Sequence, residues 1–285
     1  MKTEAKHIES NVDVFKGLPF EDYLKIDAIN HSVLSAYSQG SYQAKHKLDN
    51  AKAPSPAQKL GTADHDIVLY GLKHYLNKYL VHQKVDRRTK DGKTYWSEIN
   101  AAAEKEKKTL ISEDDHLKVY QTYQSVWSHE DVKHLLEGAL KEYTIVWNDE
   151  QTGIRLKARL DVLNTELSVI ADLKTSNKIR WHDLQTSLYS FNYWTQLAHY
   201  LRAAKAAGFD VEHAIIIFVQ SDAPHECCPI KVDDELIEIG NRQLDLWLKN
   251  HLECTEKNKW PSEYDTIRTM SVPDWAMGKL RETHK

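Results

Sequence analysis

An α/β fold is what this sequence predicts: a mixed central sheet flanked by helices, with further helices added at the N- and C-terminal ends. Three stretches predict it. Ile154 to Thr175 reads as two β-strands joined by the polar turn Asn164-Thr165-Glu166. Ala214 to Gln220 is a continuous apolar run, the pattern of a strand covered on both faces. Between them, Asp183 to Ala207 reads as one long helix ending at Gly208. Strand, helix and strand across 168–220 make a crossover unit, so part of the sheet is parallel.

The hairpin carries the chemistry. Alternation places Ile154, Leu156, Ala158, Leu160 and Val162 on one face, and Arg155, Lys157, Arg159 and Asp161 on the other. In the second strand Ile170, Asp172 and Lys174 share a face. Closure near Glu166 sets Asp161 almost opposite Asp172, where two carboxylates repel unless a cation lies between them. A lysine two residues further on can hold or polarise a water at that cation. Aspartate, ten residues, then aspartate-x-lysine is the core of a magnesium-dependent phosphodiesterase site. The competing reading is a hairpin with charges on its wet face. Against it, Asp172 and Lys174 lie inside the apolar run Ser168–Thr175, and buried charges are costly unless paired or metal-bound.

The chain has 285 residues, 41% of them hydrophobic, enough for a substantial core. No run of eighteen apolar residues is present, and the N-terminus lacks the apolar segment of a secretory signal, so the cytoplasm is the expected location. Three cysteines, Cys227, Cys228 and Cys254, make neither a disulfide framework nor a zinc site. A net charge of −4 argues against binding nucleic acid by bulk charge, though basic residues can still gather on one face.

Along the chain, residues 1–30 read as a loosely structured lead-in, ending in a helix capped near Asn30 or Ser32. Helical pattern then runs from Ser32 to Lys52, and Ala53-Pro-Ser-Pro breaks it. A second helix starts near Pro56, and small residues at 61–63 allow another backbone to approach closely. His65 lies one turn beyond Gly61; taken alone, a helical histidine usually packs or caps. Residues 81–97 are the most basic polar segment, with Arg87, Arg88, Lys90 and Lys93 around an Asp-Gly turn and Tyr95 and Trp96 following. It is either a solvated loop or a phosphate-contacting arm. Amphipathic helices follow over Glu98–Leu110 and Asp114–Leu140, the second breaking at Ser128-His129. Lys141–Trp147 is a strand from which Glu142 can reach the Asp161 region. Gln196 and Tyr200 share one helix face, and Asp233 to about Lys257 is a last long helix.

This succession resembles the restriction-endonuclease-like core of the PD-(D/E)XK nucleases. Four features in order resemble its RecB and RecE branch: the helix Gly61-Thr-Ala-Asp-His65, Arg159-Leu-Asp161, Asp172-Leu-Lys-Thr175 and Gln196-Leu-Ala-His-Tyr200. Arg87–Lys93 and Ile111–Leu136 also look like the RecE-type (exonuclease VIII) nuclease domain of phages and prophages. The resemblance implies His65, Asp161, Asp172 and the Leu173 carbonyl as ligands of Mg²⁺, with Mn²⁺ able to substitute. It makes Lys174 the residue that orients the attacking water, and it brings Gln196, Tyr200 and Glu142 to the site. Arg87, Arg88, Lys90, Lys93 and Arg159 become the expected DNA contacts. Three cysteines cannot supply the four that iron–sulfur relatives carry, so no such cluster is expected.

On that likeness the chain is one nuclease domain over 1–285: the lead-in at 1–30, a helical part at 31–140 carrying His65, a catalytic sheet and helix at 141–220, and a C-terminal helix and tail at 221–285. The implied activity is a 5′→3′ exonuclease on linear duplex DNA in phage-type recombination. A ring-shaped trimer or tetramer and a single-strand-annealing recombinase partner are implied with it. A structure-specific endonuclease and a DNA-binding module that no longer cleaves are the alternatives. His65-Asp66 is also the dipeptide of HD-type phosphohydrolases, but those need further histidines on surrounding helices, and here the acidic pair sits on strands.

Overall fold

The computed structural model describes residues 5–9, 11–50 and 55–282. The lead-in is more ordered than its sequence suggests. It supplies two strands, β1 (Ala5–Glu9) and β2 (Val12–Phe15), and Val12 and Val14 are buried. Next come α1 (Phe20–Lys25), the two-residue strand β3 (Ile29–Asn30) and α2 (His31–Leu34), which the Asn30 side chain caps by accepting from the Val33 N–H. The single helix expected over 32–52 is broken. A 3-10 turn (Ser35–Gln39) and α3 (Ser41–Asp49) meet at Gly40, whose φ of +109° suits only glycine.

Helix α4 (Pro56–Tyr70) starts on a reciprocal capping box between Ser55 and Gln58, with proline at its first position. After it come α5 (Leu72–Lys78), β4 (Tyr79–His82), α6 (Lys90–Glu106), β5 (Thr109–Ser112), α7 (Glu113–Ser128) and α8 (Glu130–Leu136). Two expectations need correction here. Asp91-Gly92 is not a loop turn but the first turn of α6, capped by Thr89. Thr109 and Leu110 end no helix; they belong to β5, which pairs in parallel with β4.

The remaining elements are β6 (Leu140–Asn148), β7 (Arg155–Asn164), β8 (Val169–Ser176), α9 (Trp181–Ser190), α10 (Tyr193–Ala206), β9 (His213–Gln220), β10 (Cys227–Lys231), α11 (Asp234–Glu256) and α12 (Asp274–Glu282). The one helix expected over 183–207 is two, because Asn192 adopts a left-handed φ of +54° between them. The main sheet runs β1-β2-β6-β7-β8-β9-β10, with β3 alongside β7. Strands β8 and β9 are parallel, as the crossover predicts, while β6, β7 and β8 are antiparallel neighbours, so the sheet is mixed. One face packs on α10 and α11 through Leu197, Leu244 and Trp247; the other packs on α4, α7 and α8 through Ile67, Val119 and Val132. Among the described residues no helix is long and apolar enough to cross a membrane.

The alternation of β7 holds from Leu156 to Leu160 and then reverses. Leu160 packs with the α10 face, but Val162 packs with the α4 face, contrary to the expectation that they share a side. The cause lies in the partner strand. Glu142 has a φ of +46°, the β6–β7 ladder skips the pair Glu142 and Asp161, and pairing resumes in the same register at Lys141 and Val162. Both strands therefore turn over at the point where Asp161 sits.

Against Lys157, four residues before Asp161 on β7, lies His199, fully buried. Its Nε2 is 3.1 Å from the Lys157 carbonyl and its ring is 5.0 Å from Trp147. Burial lowers its pKa to about 4. A histidine kept neutral in the fold contributes stability that is complete above pH 6.5 and is lost as pH falls towards 4. Denaturant titrations at pH 7 and pH 4 should show the parent losing roughly 3 kcal/mol more than a His199→Asn variant. Equal losses in the two proteins would remove this account.

Candidate active site

The hairpin register is fixed at its turn, where the Asn164 side chain accepts from the N–H groups of Glu166 and Leu167. Pairing runs Asn164 with Val169, Leu163 with Ile170 and Val162 with Ala171. Asp161 and Asp172 are the next residues outward on each strand, opposite one another where the ladder opens. Both are buried, Asp172 with only 1% exposure.

Each carboxylate is held by named donors. The Leu173 N–H donates to Asp161 Oδ2 at 2.9 Å. Lys174 Nζ lies 2.6 Å from Asp172 Oδ2, and Gln196 Nε2 donates to Asp172 Oδ1 at 3.3 Å. Gln196 also donates to the Tyr200 hydroxyl at 2.7 Å, so the shared helix face expected for this pair is aimed at the sheet. From the opposite layer, α4 lays His65 over the strand ends. Its Nε2 is 3.0 Å from the Leu173 carbonyl oxygen and its Nδ1 is 3.6 Å from Asp161 Oδ2. Gly61, one turn earlier, faces Thr175, whose hydroxyl a Cβ at position 61 would meet at ordinary contact distance.

The electrostatics follow from this crowding. Burial pushes the Asp161 carboxyl up to about 6 and Asp172 adds to the effect, while His65, Lys174 and the Leu173 N–H oppose it. Burial alone would depress Lys174, but the Asp172 and Asp161 carboxylates outweigh it and hold its pKa above the ordinary lysine value. Tyr200 is raised well above its usual value by burial and the two aspartates, and so stays a neutral hydroxyl.

His65 faces two oxygens with its two ring nitrogens, whereas a neutral imidazole carries one N–H. That mismatch disappears if a cation is shared among the ring, the carboxylates and the carbonyl. Hard oxygen donors with one imidazole suit Mg²⁺ or Mn²⁺. The donor set fits such an ion, although no group of three or more His, Cys, Asp or Glu side chains among the described residues is already drawn together in a metal-holding cluster.

The other expected residues lie differently. Glu142 accepts from Arg159 and from the Tyr70 hydroxyl, and Arg159 also donates to the Leu18 carbonyl, so these two side chains are committed to each other and to the protein. Arg87 stacks on the Trp96 ring at 3.4 Å and Arg88 pairs with Asp86. Lys90 and Lys93 lie in the first turn of α6. Asp66, the second residue of the HD dipeptide, turns away from His65 towards Lys78 and Tyr79. One neighbour went unread in the sequence: the Tyr193 ring lies 5.1 Å from Lys174 Nζ. Its only signal was an aromatic at the start of the Gln196 helix.

A mixed sheet with helices on both faces and an aspartate pair beside a lysine where two central strands part is the architecture of a PDDEXK-like protein. Residues 33–271 match the family described as a PDDEXK-like domain of unknown function (DUF3799), and the chain belongs to it, within the PD-(D/E)XK nuclease superfamily. Among solved structures it is similar to a candidate exonuclease from Eubacterium rectale, with a TM-score of 0.61 and 12% identity over 91% of this chain and 97% of that one. A phage-related exonuclease from Haemophilus somnus 129PT aligns more loosely, with a TM-score of 0.33 and 12% identity over 84% of this chain and 100% of that one. No curated protein matches the chain.

Proposed function

We propose that the chain is a divalent-metal-dependent deoxyribonuclease that degrades linear duplex DNA from its ends, 5′→3′, as RecE-type exonucleases of phages do. The observation that carries this reading is the convergence of Asp161, Asp172, Lys174 and His65 from two strands and a helix on one opening of the sheet. The ordered motifs from Gly61 to Tyr200 support the RecE-type assignment.

In this reading His65, Asp161, Asp172 and the Leu173 carbonyl would hold the cation. When bound, Mg²⁺ or Mn²⁺ supplies a Lewis acid for the phosphoryl oxygen and acidifies a water. Lys174 keeps its proton between two carboxylates and brings positive charge to the phosphate as negative charge develops there. Gln196 fixes the orientation of Asp172, and Tyr200 accepts from Gln196 to keep it in place; both are positioning residues. Glu142 and Arg159 act as one unit, a charge pair at the edge of the site. The basic stretch Arg87–Lys93 supplies phosphate contacts away from the carboxylates. A homo-oligomeric ring and a recombinase partner belong to the same proposal.

Linear duplex DNA labelled at either 5′ or 3′ ends, digested with Mg²⁺ beside a closed circle, tests it. Loss of the 5′ label as mononucleotide while the circle stays intact is the expected result. A cut circle makes the protein an endonuclease. Intact DNA in every lane, with Mg²⁺ still raising the melting temperature, leaves a binding module.

A further inference from the structure

The lip of the site beyond Lys174 is aromatic, and nothing in the chemistry above uses it. Tyr193, beside Lys174, stacks on Phe191 with centroids 5.5 Å apart and planes inclined by 27°. Phe191 is 62% exposed, with its ring face open to solvent on the side away from Tyr193. The two rings are neighbours because Asn192 between them takes the left-handed conformation, which folds positions 191 and 193 onto one another. The immediate neighbours of Phe191 in the chain, Ser190 and Asn192, are polar. Exposed rings continue along α9 with Tyr189 and Trp181.

We propose that Phe191, backed by Tyr193, is a stacking platform for an unpaired nucleobase, so that the DNA strand is single where it passes Lys174. A base offers a flat π-face regardless of sequence, which suits an enzyme that must accept every nucleotide. A base inside a duplex has both faces covered by its neighbours and cannot use the platform. The substrate is therefore a single strand or a frayed duplex end. This placement rests on the nuclease reading of the site, but the platform can be tested without cleavage.

The full-length protein is titrated against a fluorescein-labelled oligothymidylate of roughly 12 nucleotides. Ca²⁺ replaces Mg²⁺, and affinity is read by anisotropy. Phe191→Ala should weaken binding about tenfold. Phe191→Trp should retain affinity, and Phe191→Leu, apolar but without a π-face, should not. Because the ring is exposed, the melting temperature should be unchanged. A set of oligonucleotides with one abasic position moved along the strand then separates stacking from shape. At one position the abasic gap should cost the parent the same factor as Phe191→Ala does, and should cost Phe191→Ala nothing more. Equal affinity of parent and Phe191→Ala, or equal abasic losses in both at every position, overturns the proposal. So does a Phe191→Ala variant that loses self-association while binding the oligonucleotide normally, since the ring would then be a contact between copies. If the stacking cycle holds but Mg²⁺ supports no cleavage, the nuclease reading fails and the platform stands.

Discussion

Asp161→Asn should abolish DNA cleavage, by about a thousandfold or more, while making the metal-free protein more stable at pH 8. The two effects have one cause. Asp161 is buried opposite Asp172, and its pKa of about 6 records that the fold disfavours its negative charge. A carboxyl whose folded pKa lies above its unfolded value takes stability away as pH rises from 3.8 through 6, and that loss is complete at pH 8. Asparagine keeps an acceptor for the Leu173 N–H but carries no charge, so it removes the cost of burying a charge and, with it, the repulsion from Asp172. A gain on the order of 3 kcal/mol in EDTA is expected from urea titration. In the proposed site the same loss of charge would remove an anionic donor for the cation, and a thousandfold fall in rate corresponds to ~4 kcal/mol of transition-state stabilisation. Adding Mg²⁺ should then stabilise the parent and leave Asp161→Asn unmoved. Lys174→Met should separate the functions, retaining stabilisation by Mg²⁺ but not cleavage. Full activity in Asp161→Asn, or a variant less stable than the parent in EDTA, contradicts this account.

The hairpin was readable because its register is a local matter. Strict alternation over Leu156–Leu160 and an asparagine able to close the turn place Asp161 opposite Asp172 with no help from the rest of the chain. Past Asp161 the same rule fails, since a left-handed backbone at Glu142, twenty residues back and on another strand, turns Val162 to the other face. Short elements failed for a different reason. Val12–Phe15 has the right alternation but only four residues, and β10 contains Pro229, which argues against a strand unless it lies at an edge, as this one does. The break at Asn192 carries no glycine or proline, so α9 and α10 read as one helix. His65 shows the limit most plainly. Its place on α4 follows from the sequence, but its approach to Leu173 depends on how two layers pack, and only the order of motifs along the chain pointed to it.

Lys157→Met should cost about 3 kcal/mol of stability, a large loss for one polar side chain on the strand face that alternation gives to Arg155, Lys157 and Arg159. Lys157 is 5% exposed, in the middle of β7. Its Nζ donates to the carbonyls of Tyr23 at 3.0 Å and Ile26 at 2.7 Å, with Leu24 at 3.4 Å, and it lies 4.9 Å from the Tyr23 ring. These carbonyls belong to the C-terminal end of α1, a six-residue helix too short to persist on its own. The lysine does there what a capping motif does elsewhere, with a full charge instead of a backbone N–H. Methionine matches its length but leaves the carbonyls facing an apolar chain. Arginine should not rescue it, because a planar fork cannot reproduce three bonds converging on one nitrogen. The Leu18 carbonyl that receives Arg159 lies just before α1, so loosening this segment should also free the Glu142–Arg159 pair beside Asp161. Lys157→Met should therefore show faster proteolysis within 16–27 and a fall in cleavage rate larger than its loss of stability alone would give. A variant within about 1 kcal/mol of the parent, with α1 equally protected, would mean that the buried ammonium is not what holds the helix.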